Sequence, residues 1–123
     1  MGEIIRKSNE LSFNTNILIK EEEGLFVAHC LELDIVAVAD SPNQARRECV
    51  GLICAQIEYA FAHDNLENLY HPAPHDVWVE FYACKAQDEL RYKLETRLEE
   101  SNDSPAVIMP PWLIAKTCQT CHA

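Results

Sequence analysis

Glycine is scarce in this sequence: only Gly2, Gly24 and Gly51 occur in 123 residues, and no two lie close together. A glycine-rich loop that cradles phosphates with backbone N–H groups is therefore absent, and the nucleotide-binding classes built on one are excluded. Long apolar runs are missing as well, since no stretch approaches the ~18 residues that cross a bilayer as a helix. The opening Met1-Gly-Glu-Ile-Ile-Arg-Lys7 carries charge with no apolar stretch behind it. No secretory signal is read there, and a cytoplasmic protein is expected. Basic residues are few, with 10 Lys and Arg against 20 Asp and Glu, for a formal net charge of −10. Phosphate backbones would be repelled, so autonomous nucleic-acid binding is not expected.

What is present is a chain of one-domain size, 48% hydrophobic and 24% charged, which suits a folded core rather than a disordered chain. Its charge is uneven: residues 11–40 carry a net −5, residues 66–90 a net −4, and residues 91–123 are neutral. An acidic front of this kind either steers a basic partner or serves solubility alone.

Leu11, Phe13, Ile17 and Ile19 alternate with mostly polar residues, the period of a half-buried strand. Glu21-Glu-Glu-Gly24 reads as a turn, Leu25–Leu31 as a central strand apolar on both faces, and Ile35-Val-Ala-Val-Ala39 as a third strand. Short links make the three an antiparallel meander. At Asp40-Ser-Pro the grammar changes. Ser41 suits an N-cap and Pro42 the first helical position. Ala45, Cys49, Ile53, Ile57 and Ala60 then recur at helical spacing, so a long helix to about His63 is expected. Val50, Leu52, Tyr59 and Ala62 lie off that face and form a second stripe, which suits either a contact between copies in a homo-oligomer or cover by a later segment of the chain.

Two prolines stiffen the connector Asn65–Pro74. Val77, Val79, Phe81 and Ala83 alternate with Trp78, Glu80 and Tyr82, which predicts a fourth strand. Residues 89–98 fit either a helix or a strand, and the alternation favours the strand. The expectation is an α+β domain over residues 1–98, a three-stranded antiparallel meander followed by a long helix and at least one further strand. Residues 99–123 are expected as a loop and tail, with Trp112-Leu-Ile-Ala115 packing back on the body and the last residues disordered.

The six cysteines stand at 30, 49, 54, 84, 118 and 121. In a reducing compartment they are expected as thiols, and the first four, inside apolar runs, as small buried hydrophobes. Cys118-Gln-Thr-Cys-His122 has the spacing of a c-type haem attachment site. No export signal accompanies it and no second half-site for zinc is found, so no metal or cofactor is expected. His29 and Cys30 are adjacent in a strand and point to opposite faces, so they cannot work as base and nucleophile. Glu32, Asp34 and Asp40 are residue types that hold two-metal centres, but turn and cap roles suffice for them. His71 and His75 flank Pro-Ala-Pro and cannot ligate at helical spacing. No enzyme is expected.

Gly24-Leu-Phe-Val-Ala-His-Cys-Leu-Glu-Leu-Asp34, then Ile35-Val-Ala-Val-Ala-Asp-Ser41, then an alanine-bearing helix, resembles the HicB antitoxin family. Asn65–Pro74 followed by Trp78 and Phe81 is similar to a HicB-like subgroup, and the resemblance spans about residues 11–82. It implies a partial ribonuclease H-like fold of β-β-β-α-β order, without ribonuclease chemistry, that masks a small basic RNA-cleaving toxin, HicA. The candidate partner-binding residues are then Glu21, Glu22, Glu23, Glu32, Asp34 and Asp40. The family's Pro-Gly turn is replaced by Leu33-Asp34, and its Gly before Asp-Thr by Ala39-Asp40-Ser41. Beyond residue 98 the only basic residue is Lys116, so the DNA-reading module many such antitoxins append is not expected.

Overall fold

The computed structural model describes residues 12–84, 87–94 and 112–119. The meander forms as the alternation requires: β1 (Ser12–Glu22), β2 (Leu25–Cys30) and β3 (Ile35–Ala39) pair antiparallel in sequence order. Glu22 faces Leu25, leaving a two-residue turn in which Glu23 (φ 55°) and Gly24 (φ 84°) are both left-handed. Two left-handed residues match the right-handed twist of the flanking strands, and Gly24 adopts that shape without a Cβ clash.

Helix α1 (Pro42–Ala62) begins where the sequence predicts. The Gln44 N–H donates to Ser41 Oγ at 3.1 Å, satisfying one orphan donor of the first turn. Its inner face lays Ala45, Cys49, Ile53 and Ile57 on Ile17, Ile19, Ala28 and Ala37 of the meander. Small residues on both surfaces let the helix approach closely. Burial pushes the Cys30 and Cys49 thiols up to about 12, so both act as inert core hydrophobes.

Beyond α1 the chain departs from expectation. A 3-10 turn (Leu66–Asn68) leads to α2 (His75–Tyr82), then β4 (Gln87–Lys93) and β5 (Trp112–Gln119). The sheet is mixed and five-stranded, in the order β3-β2-β1-β5-β4, with β5 parallel to β1 and antiparallel to β4. The strand predicted over Val77–Ala83 is a helix. Pro72 and Pro74 set its start, Val77 N–H donates to Pro74 O at 3.0 Å, and Trp78 Nε1 donates to Ala73 O at 3.1 Å. Helical spacing turns Val77, Trp78 and Phe81 toward the sheet and leaves Val79 exposed. The strand reading of residues 89–98 holds through Lys93; residues 95–98 lie outside the described residues. The segment expected as an attached tail supplies β5, an inner strand of the same sheet. The disorder expected of the last residues concerns 120–123, also outside the described residues.

With α1 on one face and α2 on the other, β1 is buried on both sides: Ile17, Leu18 and Ile19 are 0, 1 and 2% exposed. Leu18 belongs to a second core with Leu31, Ala73, Phe81 and Cys118. Across it Cys84, just past α2, is disulfide-bonded to Cys118 of β5, 34 positions on in sequence, with Cα atoms 6.2 Å apart. The expectation of free thiols is corrected at these two positions, which α2 brings together by folding over β5. Cys118 is thereby removed from the haem-like spacing; Cys121 and His122 lie outside the described residues. Peptide mapping without reductant should return a Cys84–Cys118 linked pair. Reduction should lower the unfolding free energy by about 2–4 kcal/mol, measured by urea denaturation.

Candidate partner-binding surface

The six candidate acids fall into two groups. Glu21, Glu22 and Glu23 are exposed at the β1–β2 hairpin tip, and exposed Asp40 joins them because Phe26 pairs with Ala39, setting residue 40 beside Leu25. Glu32 and Asp34 sit at the other end of β2, about 20 Å away at the ~3.3 Å rise of a strand residue. A window of sequence does not show that a hairpin sends its charges to opposite ends.

Glu32 is structural. Its carboxylate accepts from Asn16 N–H at 2.8 Å and Asn16 Nδ2 at 2.6 Å, tying the β2–β3 link to β1. Burial raises its pKa above the ordinary carboxylate range, opposed by those two hydrogen bonds. Asp34, left-handed at φ 55°, places Oδ1 2.6 Å from His29 Nε2. His29 thus serves the turn on one face of β2 while Cys30 packs in the core on the other, the opposition that adjacency in a strand requires.

Between the two acidic groups lies an apolar strip that the sequence did not single out. Leu25 is 41% exposed, and Val36 and Val38 are each 48% exposed. They share the face opposite α1, and α2 does not extend over them. The strand that carries Val36 and Val38, β3, is also an edge of the sheet. The Leu31 N–H donates to Asn16 O at 2.9 Å, which sets the hydrogen-bonding phase of the meander. Antiparallel pairs alternate, so Ile35, Ala37 and Ala39 direct their backbone groups to β2, and Val36 and Val38 direct theirs outward. An uncharged edge with outward N–H and C=O groups is a template for a further strand. The signal in the sequence was the period of two in Ile35–Ala39, but alternation does not say which face a neighbour covers.

The second stripe of α1 is divided. Val50 is 5% exposed and belongs to the core, so it is unavailable to another subunit. Leu52, Tyr59 and Ala62 are exposed, and the Tyr59 ring stacks on His63 with centroids 4.0 Å apart. Among the described residues, no group of three or more His, Cys, Asp or Glu is placed to hold a metal ion, and no helix is long and apolar enough to cross a membrane.

Comparison with protein-family models, with curated proteins and with solved structures returns no match.

Replacing Glu32 leaves the half-buried Asn16 N–H without its acceptor. Glu32→Ala should cost about 1–3 kcal/mol in urea denaturation. Because the folded-state pKa of Glu32 is raised, its contribution to stability is full below the unfolded pKa and is lost as pH rises through the folded value. Glu32→Gln should flatten that part of the stability–pH curve, an outcome a pH series of melts would check.

Proposed function

We propose that this protein is a non-catalytic binding protein of the HicB antitoxin type, which seats a small, basic, RNA-cleaving toxin of the HicA kind. The observation that carries this reading is an apolar strip on an open strand edge with acids at both ends, Glu21, Glu22, Glu23 and Asp40 at one and Asp34 at the other. Such a surface combines a desolvating centre with a charged rim, the anatomy of a protein interface. The rim suits a partner that is basic because it grips RNA phosphates. The order of the first elements also supports the reading. A three-stranded meander followed by a long helix is common to this chain and to the start of the β-β-β-α-β order that the resemblance implies; beyond that helix the chain continues with α2, β4 and β5. The carboxylates do not converge as two-metal catalysis would need: Glu32 is held by Asn16, Asp34 by His29, and Asp40 lies at the far end.

Electrostatic capture has a kinetic signature. Association with a small basic toxin encoded beside this protein should slow by about tenfold or more between 0.1 and 1 M salt, as the Debye length falls from ~10 Å to ~3 Å. Glu21, Glu22 and Glu23 replaced together by Gln should slow capture at low salt and leave the melting temperature unchanged. A pair that fails to form, or that forms at a salt-independent rate, would contradict the proposal.

A second reading, a homo-oligomer with no toxin partner, is favoured by Leu52 and Tyr59, both exposed on the outer face of α1. In that case Tyr59→Glu should turn a dimer into a monomer in sedimentation velocity. A monomeric parent protein would remove this reading.

A further inference from the structure

The three strands that run in the same direction, β1, β3 and β5, all end on the side of the sheet where α1 begins. A cleft of about 290 Å³ opens there, lined by Ile19 of β1, Pro42, Asn43 and Arg46 of α1, Asp88 of β4, and Thr117 and Gln119 of β5. Thr117 is 6% exposed. Among the described residues, Thr117 Oγ1 and Arg46 Nε are the buried side-chain polar atoms with no hydrogen-bond partner, and both residues line this one cleft. Thr15, buried on the same face of the sheet, shows the ordinary outcome, since its hydroxyl donates to Ile114 O at 3.3 Å. Buried polar groups are nearly always paired, so two orphans on residues that line one cleft call for an explanation.

We propose that this cleft binds a single oxyanion group, the phosphate or carboxylate of a small molecule. The donors suit that chemistry. The Arg46 guanidinium presents a planar fork matched to two oxygens, and the Thr117 hydroxyl supplies a further donor from the sheet. Asn43 contributes a first-turn N–H, which has no acceptor within the helix. It stands between Pro42, which has no N–H, and Gln44, whose N–H is held by Ser41. Pro42, Asn43 and Arg46, at spacings of three and four, share one face of the helix, and the positive end of a 21-residue helix dipole points the same way. Placement at the carboxyl ends of the parallel pair β1 and β5 is the usual crevice of sheets with crossover helices. Arg46 is only partly buried and lines the cleft, with its Nε buried and without a hydrogen-bond partner.

Asp88 pairs with Thr117 in the β4–β5 register and borders the same cleft. Its carboxylate opposes a multiply charged anion, which limits the ligand to one oxyanion group and excludes a polyphosphate or a nucleic-acid backbone. The site does not depend on the toxin reading: it lies on the α1 side of the sheet, whereas the apolar strip of β2 and β3 is on the opposite face.

The test is an amide chemical-shift titration of the full chain with sodium phosphate and, separately, sodium acetate, at ionic strength held constant with sodium chloride. Saturable shifts centred on Asn43, Arg46 and Thr117 are expected with at least one of them. Saturation by phosphate alone assigns a phosphoryl group, and saturation by acetate assigns a carboxylate. Thr117→Val and Arg46→Gln should each weaken binding about tenfold or more. Thr117→Ser should retain binding, and Asp88→Asn should strengthen it. Thr117→Val should also melt at a higher temperature than the parent, because a methyl replaces an unpaired buried hydroxyl. That rise separates lost binding from lost folding. No saturable shift with either anion, or equal affinity in the parent and in both weakening variants, would overturn the proposal.

Discussion

The parallel pairing of β1 with β5 is the contact on which the remaining architecture depends. Ile17, Leu18 and Ile19 are buried in succession, and a strand can bury successive residues only if both of its faces are covered and both of its edges are paired. The meander covers one edge of β1 and α1 covers one face. The other edge is closed by β5, whose Thr117 and Cys118 lie beside Ile17 and Leu18. Each fully buried aliphatic side chain in this row contributes about 1.5–3 kcal/mol. The row closes only when a segment nearly a hundred residues downstream has been brought back. β5 in turn carries the anchor for α2 through Cys118 and the pairing surface for β4.

Two different surfaces follow from this arrangement. On the α1 side, strands of one direction end together at a helix N-terminus, and polar donors gather around a cleft. On the opposite side, α2 is eight residues long and covers only the middle of the sheet over Leu18 and Cys118. That leaves the outer meander uncovered at Leu25, Val36 and Val38, beside a hairpin tip rich in glutamate. The same shortfall of cover that exposes the valines also exposes the edge of β3. A directional backbone template and an apolar strip therefore coincide.

Much of residues 12–62 was legible because the determining interactions are local. Period-two alternation, the turn signal in Glu21–Gly24 and the Ser41-Pro42 helix start act over a few residues each, although Glu21 and Glu22 extend β1 and only Glu23 and Gly24 make the turn; the buried Cys30 and Cys49 follow from their apolar surroundings. The second half was less legible because its state is set by distant partners. Val77–Tyr82 alternates like a strand, yet Pro72, Pro74 and the need to cover Leu18 make it helical. Trp112–Gln119 carries no strong period, and its place between β1 and β4 depends on those neighbours. The Cys84–Cys118 bond arises only once α2 lies over β5. The candidate surface was half legible: the glutamates of the hairpin tip could be found by charge alone. The burial of Glu32 and Val50 and the exposure of Val36 and Val38 depend on which strands are central.

Amide hydrogen exchange read at single-residue resolution bears most directly on the central role of the β1–β5 pair. Amides of Leu113 to Cys118 should exchange as slowly as those of Ile17 and Ile19, in a single cooperative opening, because β5 is paired on both edges. Val36 and Val38, whose N–H groups point away from the sheet, should exchange far faster than Ala37 between them. Rapid exchange throughout residues 112–119, alongside full protection of β1 to β3, would contradict the account. It would show that the meander and α1 stand without the C-terminal strand.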